Sequence, residues 1–162
     1  MESGADRHVA VRQATTNDIE FMVQLFLLLA RQRNPTGDGV DIEAIVEGTK
    51  RSTLEQVRGQ LRDSTTYVIE FDNQSVGRLR VVRNGEQIEI AGIQILPDFQ
   101  SRGIGTSVIS TLTREGMSKT LPVVLEVEKD NPDAHRLYLR LGFQLYGETD
   151  DIFKMRVLSS LR

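Results

Sequence analysis

Ile88-Glu89-Ile90-Ala91-Gly92-Ile93-Gln94-Ile95-Leu96-Pro97-Asp98-Phe99-Gln100-Ser101-Arg102-Gly103-Ile104-Gly105 is the stretch whose reading decides the fold. Its first half is a strand by its density of isoleucine. The phase of that strand changes midway: isoleucines stand at even positions 88 and 90, then at odd positions 93 and 95. Strand side chains alternate with a period of two, so the apolar face slips by one residue at Ala91-Gly92. Two readings stay open. A strand buried on both faces is indifferent to phase. A β-bulge, which glycine tolerates, inserts one extra residue and bends the strand. Such a bend splays the strand from its parallel neighbour and exposes backbone N–H and C=O groups that a ligand can pair with, strand-fashion.

The second half of the stretch runs from a strand end into a helix whose apolar face is Val108, Ile109, Leu112 and Met117. Backbone N–H groups at a helix start lack partners and attract anions. Gly103 and Gly105 let a phosphate approach the backbone, and Arg102 adds a permanent positive charge. A dinucleotide fingerprint needs a third glycine where Val108 stands, and a P-loop needs a lysine that does not follow Gly105. What remains is Q-x-x-G-x-G after a strand, or simply a tight glycine loop.

Working outward, Val9 and Val11 mark a first strand, and Thr15 to Asp18 offer caps for a helix whose apolar run covers 21–30. Two short helices are expected at 41–50 and 53–63. Strands follow around Tyr67–Phe71 and Val76–Val82, with a turn at Asp72-Asn73-Gln74-Ser75 between them and a type I′ turn expected at Asn84-Gly85. Beyond the glycine loop come a strand at 123–127, a helix at 131–141 and closing strands at 143–146 and 152–157. Asn131 caps that last helix, Pro132 suits its first position and Gly142 stops it. Ala134, Leu137, Tyr138 and Leu141 form its core face. Tyr138 there is either a core aromatic or a hydroxyl in need of a partner. If the two short helices count as one broken element, the order is β-α-α-β-β-β-α-β-α-β-β. The expected architecture is α/β, a mixed sheet with helices on both faces.

The length of 162 residues suits one domain, 1–162, with residues 1–7 loose. Lys+Arg is 20 against Asp+Glu 23, a net charge of −3. This disfavours a basic nucleic-acid binder and offers no polybasic membrane patch. There is no cysteine, which excludes disulfide scaffolds, thiolate zinc sites and a cysteine nucleophile, and fits a reducing compartment. With His8 and His135 the only histidines, no metal site is expected. The apolar run at 21–30 is too short to span a bilayer, and the residues before it lack a basic leader. The expectation is a cytoplasmic protein without nucleic-acid or membrane partners.

In spacing and order, Ile93-Gln-Ile-Leu-Pro97, Gln100-Ser-Arg-Gly-Ile-Gly105 and Leu125-Glu-Val-x-x-x-Asn131-x-x-Ala134-x-x-x-Tyr138-x-x-x-Gly142-Phe143 together resemble the GNAT superfamily of acetyl-CoA-dependent N-acetyltransferases. The resemblance spans about 9–157. It implies a GNAT-like fold that takes acetyl-CoA as co-substrate in a V between the bulged strand and the Leu125 strand. The backbone of Ile93, Gln94 and Ile95 then faces the pantetheine arm. N–H groups of Gln100, Ser101, Arg102, Gly103, Ile104, Gly105 and Thr106 hold the pyrophosphate, Asn131 contacts pantetheine, and Tyr138 protonates the leaving thiolate. The acceptor implied is a small-molecule or peptide amine, deprotonated by a carboxylate. Glu89, two residues before the bulge, stands where family members of similar pattern carry a base; Glu126 and Glu86 come behind it. The absence of cysteine favours direct transfer in a ternary complex, and the net charge favours cationic acceptors. A homodimer is compatible with the resemblance, and residues 34–53 fall where such folds shape the acceptor site. The competing readings are a catalytically inactive acyl-CoA-binding sensor or scaffold, and an interaction protein using the face at 21–30.

Overall fold

The structure, a computed structural model, describes residues 8–158; the segment 1–7, expected to be loose, lies outside the described residues. The elements are β1 (Val9–Gln13), α1 (Ile19–Arg33), α2 (Ile42–Val57), β2 (Ser64–Phe71), β3 (Gln74–Arg83), β4 (Ile88–Ile95), α3 (Ile104–Lys119), β5 (Val123–Glu128), α4 (Pro132–Arg140), β6 (Gln144–Glu148) and β7 (Ile152–Val157). This is the element order expected from the sequence. The strands form one mixed seven-stranded sheet, ordered β1-β2-β3-β4-β5-β7-β6. No helix among the described residues is long and apolar enough to cross a membrane. Two compact units can be distinguished: the described residues up to Arg80 with Gly92–Gly105, and Val81–Ala91 with the residues from Thr106 onward.

In the first unit β1 and β2 are antiparallel, from Val9 opposite Phe71 to Gln13 opposite Tyr67. Thr15 and Asp18 form a capping box ahead of α1. Arg12 forks onto the Asp18 carboxylate with bonds of 2.9 and 2.8 Å. α1 buries Met22 and Leu25 completely, and Ala14, Met22 and Val68 form a core against which Phe21 and Val57 pack.

α2 corrects the expectation of two helices. Asp41 caps it by accepting from the Ala44 N–H, and it continues without a break to Val57. Its buried residues are Thr49 and Thr53, whereas Ile42 is 61% exposed. The apolar pattern breaks because the helix turns a polar face inward, so hydrophobic periodicity misreads it.

The hairpin turns also differ from expectation. Asp72 and Asn73 have φ of 51° and 66°, both left-handed, so the two-residue type I′ turn joins β2 to β3. At Asn84-Gly85 only the glycine has positive φ, 87°, and the link to β4 takes the four residues 84–87. Asn84 Oδ1 accepts from the N–H groups of Glu86 and Gln87, an Asx arrangement that competes with the tight turn.

The second unit centres on β5, which runs parallel to β4 from Ile88 opposite Val123 to Ile90 opposite Leu125. On its other side β5 is antiparallel to β7, and β6 pairs with β7 through an irregularity between Leu145 and Gly147. Ile109, Leu112, Val123, Leu125, Phe143 and Met155 are buried here. Arg83 pins α3 by a fork onto Glu115, with bonds of 2.8 and 3.0 Å, and Lys119 reaches the same carboxylate at 2.8 Å.

Candidate active site

The glycine loop of the first unit is built from its two ends. Pro97–Phe99 makes a single 3-10 turn after β4. Gln100 then ties the loop down: its Nε2 donates to the Ile95 carbonyl at 3.0 Å, and its amide exchanges bonds of 2.8 and 3.1 Å with Gln32 at the end of α1. Ser101 and Gly103 both adopt left-handed backbone, φ 61° and 81°, on either side of Arg102. Left-handed residues alternating with ordinary ones turn successive N–H groups toward one side, an anion-binding concavity. Ile104, buried, anchors the start of α3. A Cβ placed on Gly105 would meet no atom within 4 Å, so the surface over the first turn of the helix is open. Arg102 is exposed, its guanidinium 5.0 Å from the Phe99 ring centroid, and Phe99 is set edge-on to Phe71. Ile93, Gln94 and Ile95 are half-buried on β4, leading into the loop.

The remaining residues singled out in the sequence fall in the second unit. Thr106 is half-buried in the first turn of α3. Glu89 is half-buried on β4, opposite Val124 of β5, between the buried Ile88 and Ile90. Glu86 and Glu126 are both exposed, Glu86 in the 84–87 link and Glu126 opposite Lys154 of β7. Of these three carboxylates Glu89 alone is sheltered. Asn131 is the N-cap of α4, accepting from the Ala134 N–H at 3.2 Å, which occupies its side-chain oxygen and leaves its NH2 group as the donor it can offer a ligand.

Tyr138 is 8% exposed on α4, with its ring tilted against Phe143 at 5.9 Å between centroids. Burial pushes its hydroxyl pKa up, and no hydrogen bond from the described residues offsets this. The hydroxyl therefore holds its proton at neutral pH.

Sequence reading passed over one group in the first unit. Arg78 on β3 is buried, donating from Nη1 to Gln94 Oε1 and from Nη2 to Gln56 Oε1, both at 2.9 Å. Thr66 Oγ1 donates to the same Gln56 oxygen at 2.7 Å. The sequence carries no signal for it: Arg78 and Arg80 alternate with Gly77, Leu79 and Val81 just as they would on a strand with one solvated face. No cluster of three His, Cys, Asp or Glu residues able to hold a metal ion occurs among the described residues.

The profile of the acetyltransferase (GNAT) family matches residues 40–143. Comparison with curated protein sequences gave no match. Among solved structures, the PaiA N-acetyltransferase of Thermoplasma acidophilum in complex with coenzyme A superposes with a TM-score of 0.75 at 18% identity, covering 93% of this chain and 98% of that one. A microcin self-immunity acetyltransferase, MccE, in complex with acetyl-CoA and AMP, gives 0.73 at 16% identity over 98% and 97% of the two chains. A spermidine N-acetyltransferase SpeG chimera from Vibrio cholerae and hSSAT gives 0.70 at 19% identity over 94% and 96%. At these identities the likeness is one of fold.

Proposed function

We propose that this chain, which belongs to the acetyltransferase (GNAT) family, transfers the acetyl group of acetyl-CoA to a small-molecule or peptide amine by direct attack in a ternary complex. The observation that carries the reading is the loop from Gln100 to Gly105. Two left-handed residues, a helix start and an open glycine together make a seat for a pyrophosphate. Its lack of a third glycine or a P-loop lysine argues for CoA over a dinucleotide or ATP.

In this reading Gln100, Ser101, Arg102, Gly103, Ile104, Gly105 and Thr106 hold the pyrophosphate, and Ile93, Gln94 and Ile95 offer backbone groups to the pantetheine arm, with Asn131 as a further donor. When bound, acetyl-CoA supplies an activated thioester. The chain's own residues handle protons. An ammonium nitrogen has no free lone pair, so Glu89 takes its proton, directly or through water, before the nitrogen attacks the acetyl carbon. As the C–S bond breaks, Tyr138 donates its proton toward the sulfur. The loop at 34–41 and the start of α2 border an open depression of about 570 Å³, lined by Ala30, Arg33, Val40, Ala44 and Ile45 among others, which suits the acceptor side.

Calorimetry tests the foundation. Coenzyme A is expected to bind, with NAD and ATP binding far more weakly, and acetyl-CoA is expected to release free thiol when amines are added. Binding of ATP or NAD without binding of CoA overturns the proposal.

A further inference from the structure

One buried charge in the first unit stands without a counter-charge among the described residues. Arg78 is 7% exposed, and its guanidinium meets neutral groups alone: the side-chain oxygens of Gln94 and Gln56, and the Phe26 ring 5.7 Å from Cζ. No carboxylate pairs with it among the described residues. Its charged neighbour is another cation, Arg80, which donates to Ser64 Oγ at 3.2 Å. Burial, with the repulsion of Arg80, lowers the Arg78 pKa to about 10, so the charge persists at neutral pH. A cation held out of water among neutral groups is unfavourable unless an anion joins it.

The surroundings are arranged for such a guest. The two glutamine oxygens fix the fork and leave its other N–H groups unused. Thr49, Thr53 and Gln56 share one face of α2 by their i, i+4, i+7 spacing, so the helix presents polar groups where apolar ones are usual. A Cβ on Gly92 would stand 3.0 Å from Arg78 Nη1, so glycine at that position keeps the fork clear. Gly92 and Gln94 flank Ile93, on the β4 segment that the proposed reaction gives to the acyl-carrying arm.

We infer that Arg78 binds a carboxylate of the acceptor, so that the amine acetylated is an amino carboxylate, an amino acid or a peptide end, and not a polyamine. The inference rests on the acetyltransferase reading above. A single guanidinium carries one charge in a planar fork, which matches a carboxylate; the glutamine oxygens beside it would repel the second charge of a phosphate. The overall charge of −3 favours cationic acceptors, but the local field at Arg78 has the opposite sign.

The experiment follows CoA release with a set of amino acids, each paired with its own carboxamide, and with spermidine as the cationic comparison. The free acids are expected to exceed their carboxamides in kcat/KM by about tenfold or more, the value of a charge-assisted hydrogen bond. Arg78→Lys is expected to raise KM for the best acid about 10- to 100-fold, leaving KM for acetyl-CoA and the rates with carboxamides within about twofold. Gln56→Leu, which keeps the charge but frees Nη2, is expected to give a smaller rise and covers the case in which Arg78→Lys fails to fold. Calorimetric titration of the best acid into the CoA-bound protein should show the same loss of affinity without turnover. Acetylation of spermidine or the carboxamides alone, absence of any acetylated acid, or an Arg78→Lys variant with unchanged KM for the acid overturns the inference. A wild-type protein that fails to bind CoA defeats the underlying reading instead, which the calorimetric control separates.

Discussion

In the proposed reaction Tyr138 and Glu89 divide the proton work by their surroundings. The tyrosine is sealed against Phe143 and keeps its proton; the glutamate is half-buried in the middle of the short stretch of β4 that pairs with β5. Tyr138→Phe removes one oxygen and leaves the packing intact. It is expected to lower kcat by about 10²-fold with CoA affinity unchanged, within the range of general-acid help. In the same pH–rate series Glu89→Gln should lower kcat/KM at neutral pH and partly recover at high pH, as free amine becomes available. A Phe variant with full turnover while chemistry limits the rate assigns Tyr138 to packing. A Glu89→Gln variant with the wild-type profile moves the base elsewhere, with Glu126→Gln the next variant to compare. At this scale the sequence was legible in the burial of Tyr138, which the spacing of Ala134, Leu137, Tyr138 and Leu141 on one helix face foretells. It was silent about Arg78, whose polar partners come from α2 and β4, far away along the chain.

The glycine loop and α2 show the two extremes at the scale of elements. The loop was readable because turns, caps and helix starts are local chemistry: Gly103 takes the left-handed backbone its residue type permits. Gly105 offers a clean test, since its backbone has no positive φ and its missing side chain faces open space. Gly105→Glu is expected to fold normally and to weaken CoA binding at least tenfold, through bulk and negative charge where the pyrophosphate arrives. Equal CoA affinity in the folded variant shows that the loop does not hold phosphate. α2 was misread because its inward face is threonine and glutamine, and periodicity of apolar residues carries no information about a helix that buries polar ones. The misplaced type I′ turn has a similar cause: Asn84 spends its side chain on the N–H groups of Glu86 and Gln87, which residue preferences alone do not reveal.

For the molecule as a whole, the order and type of the elements were legible because strand and helix periods are strong over most of the chain. Its response to acid depends on tertiary pairs instead. The Arg83 fork, aided by Lys119, holds the Glu115 carboxyl at about 2 against an ordinary value of 4.5, with burial opposing. A carboxyl depressed by folding stabilises fully above its unfolded pKa, and that contribution fades as pH falls from about 4.5 toward 2. Glu115→Gln should therefore cost about 1–2 kcal/mol in urea unfolding at pH 7, allowing for partial solvent screening. The cost should be nearly absent close to pH 2, and an equal loss at both pH values shows that shape, not charge, is at stake. The threonine face of α2 has a different consequence, one for evolvability. Exchanging Gln56 alters the hydrogen bonds its Oε1 accepts from Arg78 and Thr66, worth about 1–3 kcal/mol, and exchanging the small Thr49 or Thr53 opens no large apolar void of the kind that costs about 2–5 kcal/mol. On the proposed reading, acceptor preference on this side of the protein can thus drift by single substitutions while the leucine, isoleucine and valine framework stays as it is.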